Sequence, residues 1–136
     1  MTQEGKGDEH AGMTALLYAA QEGHDDIVKL LLGFKADANI RQPKTQMTAL
    51  HKAAERGNSE TARQLVSAKA DVDAHDVDLW TPLHWATMWG NSETARHLLD
   101  AKANVDARNR TGFTPFSYAK GKKEVVKVLR EFNATE

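Results

Sequence analysis

The chain has 136 residues, a formal net charge of −1, 40% hydrophobic and 27% charged residues, and no cysteine. That balance provides no global field to draw nucleic acid or an anionic membrane, and the missing thiols exclude disulfides and thiolate catalysis. The length suits one modest domain with its own core. No apolar run approaches the roughly 18 residues that a membrane span requires. The opening MTQEGKGDEHAG is polar and unlike a secretory or transit leader. Asn133-Ala134-Thr135 matches a glycosylation sequon, which without a secretion signal reads as chance. A cytoplasmic protein is expected, with the nucleus as a second compartment.

In chain order, one short phrase keeps returning. Thr14-Ala-Leu-Leu17, Thr48-Ala-Leu-His51, Thr81-Pro-Leu-His84 and Thr114-Pro-Phe-Ser117 are spaced 34, 33 and 33 residues apart. Each threonine is placed to cap a helix, and Pro82 and Pro115 fit a first turn, where no amide donor is missed. Small residues follow at a fixed offset, Ala19-Ala20, Ala53-Ala54, Ala86-Thr87 and Ala119. Gly23, Gly57 and Gly90 then stop the helix after about two turns. Four units result, at about 13–46, 47–79, 80–112 and 113–136, with 1–12 as a polar tail.

Within each unit Leu16, Leu50, Leu83 and Phe116 point the first helix inward, and the small pairs let a second helix approach. That second helix carries Ile27, Val28 and Leu31 in the first unit and Val125, Val126 and Leu129 in the fourth, at helical spacing. The middle units carry Thr61-Ala62-Leu65 and Thr94-Ala95-Leu98, which bury less. Helices this short are marginal alone, so each unit must borrow core from its neighbours, as a stacked solenoid does. The connecting arms alternate, Ala36-Asp-Ala-Asn39, Ala70-Asp-Val-Asp73 and Ala103-Asn-Val-Asp106, and read as extended segments leading into hairpin turns. Gly112 supplies a turn residue; Gln46 and Leu79 stand at its offset, so those turns are expected to be less regular. The fourth unit is shorter and lysine-rich, a polar cap that makes the array look complete.

The phrases TALHKAAERGN and TPLHWATMWGN, with the second helix and the ADVDA-type arm, resemble the ankyrin-repeat family over residues 13–132. The resemblance implies an all-α solenoid of four helix–turn–helix units with β-hairpin-like connecting arms. It also implies that His51 and His84 hydrogen-bond backbone and tie units together, while the terminal units carry Leu17 and Ser117 there. The family usually has Gly where Lys35, Lys69 and Lys102 stand, so a positive φ is expected at Lys69, at a cost of roughly 1–2 kcal/mol. Asn39 occupies the arm position that an asparaginyl hydroxylase modifies in some members, and is a possible hydroxylation site.

The chemistry of a catalyst is missing from the pattern. There is no GxSxG, GxxxxGK[ST] or GxGxxG phrase, and the six histidines form no HxxxH or HxxH pair, so no enzyme, metal or cofactor is expected. The C-terminal lysines lack interleaved aromatics, which argues against nucleic acid. A protein partner remains. In the resembled family, partners contact the hairpin tips and the exposed side of the first helices. Met47, Trp80 and Phe113 precede their threonines and belong to that surface, with His75 and Asp78 on the same tip as Trp80. Trp85, Met88 and Trp89 lie on one face of the third unit's first helix, at the offsets of Lys52, Glu55 and Arg56 in the second. The charged Arg56 at the offset of Trp89 marks a position that tolerates water. Trp80 is likewise expected to be hard to bury, and Trp85 to be half-covered. Tryptophan and methionine are enriched at interfaces. The reading is therefore a monomeric, non-enzymatic protein-interaction module centred on the third unit. The alternative is a small-ligand or glycan module using Trp80, Trp85 and Trp89 as a platform.

Overall fold

The computed structural model describes residues 13–136, so the tail assigned to 1–12 lies outside the described residues. In chain order the elements are α1 (Ala15–Glu22), α2 (Asp25–Gly33), α3 (Ala49–Arg56), α4 (Ser59–Ser67), α5 (Pro82–Met88), α6 (Ser92–Asp100), a 3-10 turn (Pro115–Tyr118) and α7 (Lys123–Glu131). Three helix pairs are complete. In the fourth, the first helix has shrunk to the single 3-10 turn. First helices stack on first helices and second on second, so two layers run along the array with the core between them.

The threonines do what the repeat asks of them. Thr14, Thr48 and Thr81 take extended backbone, and each hydroxyl accepts the N–H three residues on. At Thr48 and Thr81 the cap closes from both sides, because the Nδ1 atoms of His51 and His84 accept the threonine N–H at 3.1 Å. A capping box normally uses Glu or Gln for that return bond. The histidine adds a second reach: its Nε2–H donates to the next tip, His51 to the carbonyl of Trp80 (2.8 Å) and His84 to that of Phe113 (2.9 Å).

Between the layers Leu50, Leu83, Val28, Leu65, Leu98 and Leu129 are fully buried, and Ala53, Ala54 and Ala86 let the helices close on them. Ile27 does not join them; it is 45% exposed. Its counterpart Thr61 is buried because α2 lies against it, and Thr61 donates to Asp25 at 2.5 Å. Ile27 sits on the free end of the stack, where helical spacing alone cannot distinguish a core position from an end face.

The first three units are clamped by the asparagine that follows two of the helix stops, Gly57 and Gly90. Asn58 donates to the carbonyls of Ala20 (3.0 Å) and Gln21 (3.3 Å), and Asn91 to that of Ala54 (2.8 Å). Gly57 is needed twice over, since its φ is +71° and a Cβ there would lie 2.8 Å from Asn91 Oδ1. The second helices end on Lys35, Lys69 and Lys102 with φ of 66°, 69° and 73°. The N–H one residue further on returns to the helix at 3.0 Å, from Ala36 to Leu31, Ala70 to Leu65 and Ala103 to Leu98. These are Schellman ends built on lysine instead of glycine.

The arms depart from expectation. They are not β-hairpin-like: among the described residues there is no strand. The alternating phrase is broken by its own side chains, since Asp37, Asp71 and Asn104 each accept the N–H two residues on at 2.9–3.0 Å. Each arm thus makes an Asx-type turn instead of running extended. The tip beyond it closes with one backbone bond across its base, Gln42 to Met47, Asp76 to Trp80 and Asn109 to Phe113, each 2.9 Å, and one turn bond back to the same residue, from Gln46, Leu79 and Gly112 at 2.7–2.9 Å. Such a pair closes a turn and does not extend into a ladder. Gln46 and Leu79 take the left-handed backbone of Gly112 (φ 59°, 62° and 86°). The tip at Leu79 closes as that at Gly112 does, whereas the tip at Gln46 is one residue longer, its turn bond reaching back four residues to Gln42 instead of three.

Candidate interaction surface

Three tips project from the stack, at 40–47, 74–80 and 107–113, and a polar residue buried at the base organises each. Asp76 shows how. Its Oδ1 accepts the N–H groups of Asp78 (3.0 Å) and Trp80 (2.9 Å), and its Oδ2 accepts the indole N–H of Trp85 at 3.0 Å. Asn109 repeats the arrangement with Oδ1 on the N–H of Thr111 (3.2 Å) and Phe113 (2.9 Å), while its amide donates to the Tyr118 hydroxyl at 2.7 Å. Gln42 holds the equivalent place in the first tip and is buried too.

The tips are also joined to one another. Val77 N–H donates to Thr45 and Arg110 N–H to Asp78, both at 2.9 Å. Arg41 reaches across to the carbonyl of His75, and Arg110 to that of Val77 (2.6 Å). A row so braced presents its side chains in fixed positions.

The aromatic residues fall into a packed part and an open part. Trp80 is half-buried, with its ring centroid 4.7 Å from those of both Trp85 and Tyr118 and 5.6 Å from His84. Trp85 and Met88 are half-buried as well. The Trp80 and Trp85 rings are tilted by 43°, so each uses one face on the other instead of offering a shared flat platform. Trp89, at the end of α5, is 60% exposed, and Phe113 is 51% exposed with its edge on Tyr118 at 6.0 Å. Met47, at the offset of Trp80, is buried. Arg56, His75 and Asp78 are exposed.

Asn39 is exposed, yet its amide oxygen is engaged by the N–H of Asp71 in the next unit at 2.7 Å. Asp73 and Asp106 do the same for Asn104 (2.7 Å) and Thr135 (2.9 Å). That column is a joint between units. The buried column Gln42, Asp76 and Asn109 and the clamps Asn58 and Asn91 hold the tips and units in place, and pattern reading passes over them. Their one visible signal is a polar residue recurring at a fixed offset.

Two histidines are held neutral. Burial pushes His51 down from 6.5 to about 4, only partly offset by its bond to the Trp80 carbonyl. Burial lowers His84 in the same way. Their bonds require this form, since Nδ1 accepts an N–H and Nε2–H donates to a carbonyl. No group of three or more His, Cys, Asp or Glu among the described residues is placed to hold a metal ion. No described helix is long and apolar enough to cross a membrane.

Helix pairs stacked in two layers, tied through threonine–histidine caps and carrying braced tips, define a helix–turn–helix repeat solenoid, an architecture of protein-binding character. The chain belongs to the ankyrin-repeat family: the family model for ankyrin repeats (3 copies) matches residues 2–76 and 72–135. No curated protein matches it.

Proposed function

We propose that this chain is a four-unit interaction module, its last unit abbreviated, that binds a protein partner along the tips and the concave side of the first helices. The third unit forms the centre. The observation that carries this reading is exposure: Trp89, at the C-terminal end of α5, and Phe113, against Tyr118 of the half-buried Trp80, Trp85 and Tyr118 cluster, are both left mostly in water. An exposed apolar patch on a folded domain generally marks a contact site, and Trp is the residue most enriched at hot spots. The Tyr118 ring holds Phe113 from one side, so little side-chain freedom is lost there when a partner covers it. The units differ at these offsets: Glu22 and Arg56 stand where Trp89 does. That contrast favours the third unit as the centre.

Affinity capture from the native cell, run side by side with wild type and Trp89→Ala/Phe113→Ala, tests it. Proteins retained by the wild type should be lost from the double variant, while its melting temperature stays within a few degrees. Retention of the same proteins by both would refute the assignment of the patch.

A further inference from the structure

The charges of this chain are neutralised in some places and left open in others. Among the described residues the ion pairs lie on the second helices and at the C-terminal end. Glu60 pairs with Arg63, Arg96 with Glu131 at 2.9 Å, His97 with Glu93 at 3.9 Å, and Arg130 with Glu136 at 2.8 Å. The tip row is different. It exposes four cations, Arg41, Lys44, Arg108 and Arg110, against one exposed acid, Asp78. None of these five is in an ion pair among the described residues, although the chain as a whole carries a net charge of −1.

The arginines are nevertheless held. Arg41 donates to the carbonyls of Gln46 (3.3 Å) and His75, Arg108 to that of Gly112 (2.8 Å), and Arg110 to that of Val77 (2.6 Å). A guanidinium carries five N–H donors, and these bonds use one or two of them on neutral oxygens. No carboxylate among the described residues is in ion-pair contact with these arginines, donors remain for a partner, and part of the ordering cost of binding has been met in the fold. Apolar side chains are interleaved with the cations, for Val77 and Leu79 are exposed on the middle tip and Phe113 borders the third.

We infer that the segment seated on the tip row is an acidic polypeptide with apolar side chains at intervals. This rests on the interaction-module reading and gives its partner a chemistry. Carboxylates meet the arginine forks and Lys44, while aliphatic or aromatic side chains meet Val77, Leu79 and Phe113. Nucleic acid fits less well. Asp78 stands in the middle of the row, where a phosphate track would run. Of the row's exposed apolar side chains Val77 and Leu79 offer no ring, which leaves Phe113 alone and no series of rings on which successive bases could stack.

The test begins with selection of a random peptide library on the full-length chain. The recovered peptides are then measured by fluorescence anisotropy at low and high salt, beside a mixed-sequence single-stranded oligodeoxynucleotide. Enrichment of Asp and Glu together with Leu, Ile or aromatic residues is expected, with binding that weakens as salt rises. Lys44→Glu and Arg108→Glu should each weaken it about tenfold. Lys127→Glu, on α7 and away from the tips, should leave it unchanged. Lys44 makes no hydrogen bond or ion pair among the described residues, so its variant keeps the fold, as an unchanged circular dichroism melt would confirm. Recovery of neutral or basic peptides that still need Trp89 would overturn the acidic partner and leave the interaction module standing. Tighter binding of the oligonucleotide, lost in the same variants, would overturn it in favour of nucleic acid. Failure of the library to enrich at all would overturn it too.

Discussion

Acid should unfold this protein through His51. The side chain is fully buried, accepts the Thr48 N–H on Nδ1 and donates from Nε2 to the Trp80 carbonyl. Protonating Nδ1 sets one N–H against another, and burial already disfavours the charge, so the folded pKa falls to about 4 against 6.5 for the free side chain. Above pH 6.5 the ring is neutral in both states and its contribution is fully present. Between 6.5 and about 4 the unfolded chain takes up a proton that the folded chain refuses, and stability falls with the pH. At about 1.4 kcal/mol per unit of pKa difference, the loss reaches about 3 kcal/mol once the pH has passed the folded value. His84 moves in the same direction and adds to it. Urea unfolding at pH 7.5, 6.0 and 4.5 measures the slope, and His51→Gln isolates the contribution of this residue. Glutamine is a natural N3 partner in a capping box and does not titrate. The variant should be less stable at pH 7.5 yet lose distinctly less between 7.5 and 4.5. Equal pH slopes for the two proteins would refute the reasoning, because other groups would then carry the acid sensitivity.

Lys69→Gly should be neutral or stabilising by up to about 1 kcal/mol in urea melts, since the left-handed strain it removes outweighs the unfolded-state entropy it adds. Gly57→Ala should cost clearly more than Gly112→Ala: both positions have positive φ, but only at Gly57 does the new Cβ meet a neighbouring unit. Comparable losses in thermal melts would remove the Asn91 clamp from the account. Trp80→Ala should destabilise by about 2–3 kcal/mol through lost packing on Trp85 and Tyr118. Trp89→Ala should stay within about ±0.5 kcal/mol.

The register of the helices was legible because helix starts are written in residue type. Thr48 and Thr81 cap as threonines do, and the chain repeats them at nearly constant spacing. The left-handed lysines were legible from the family's glycine at that offset. The arms were misread because alternation of Ala, Val and Asp fits either an extended strand or a row of Asx turns. Only the side-chain bonds of Asp37, Asp71 and Asn104 choose between them. The tryptophans show a second limit. Met47, Trp80 and Phe113 share one offset and one expected surface, but Met47 is buried and Trp80 half-buried. Along the column Met13, Met47, Trp80 and Phe113 burial is greatest inside the array, at Met47, and least at Phe113 in the last unit. A single unit therefore cannot report how much of a tip residue is exposed; its position in the stack decides that.

The same bonds that hold the fold also fix the surface. His51 joins the cap of α3 to the Trp80 carbonyl on the middle tip, Asp76 ties that tip to Trp85, and Arg41 and Arg110 tie it to its neighbours on either side. The middle tip therefore has no independent freedom. A change that loosens it must break a helix cap, a buried carboxylate network or a bridge to another tip. Phe113 and Trp89, by contrast, are attached to that framework while contributing little to it, so the framework tolerates their replacement. Stability and recognition can then vary separately in a repeat of this kind, with the Thr-x-x-His pairs and the buried tip residues carrying the first. In the proposed interface, Trp89 of the third unit, Phe113 of the fourth and the unpaired tip cations carry the second.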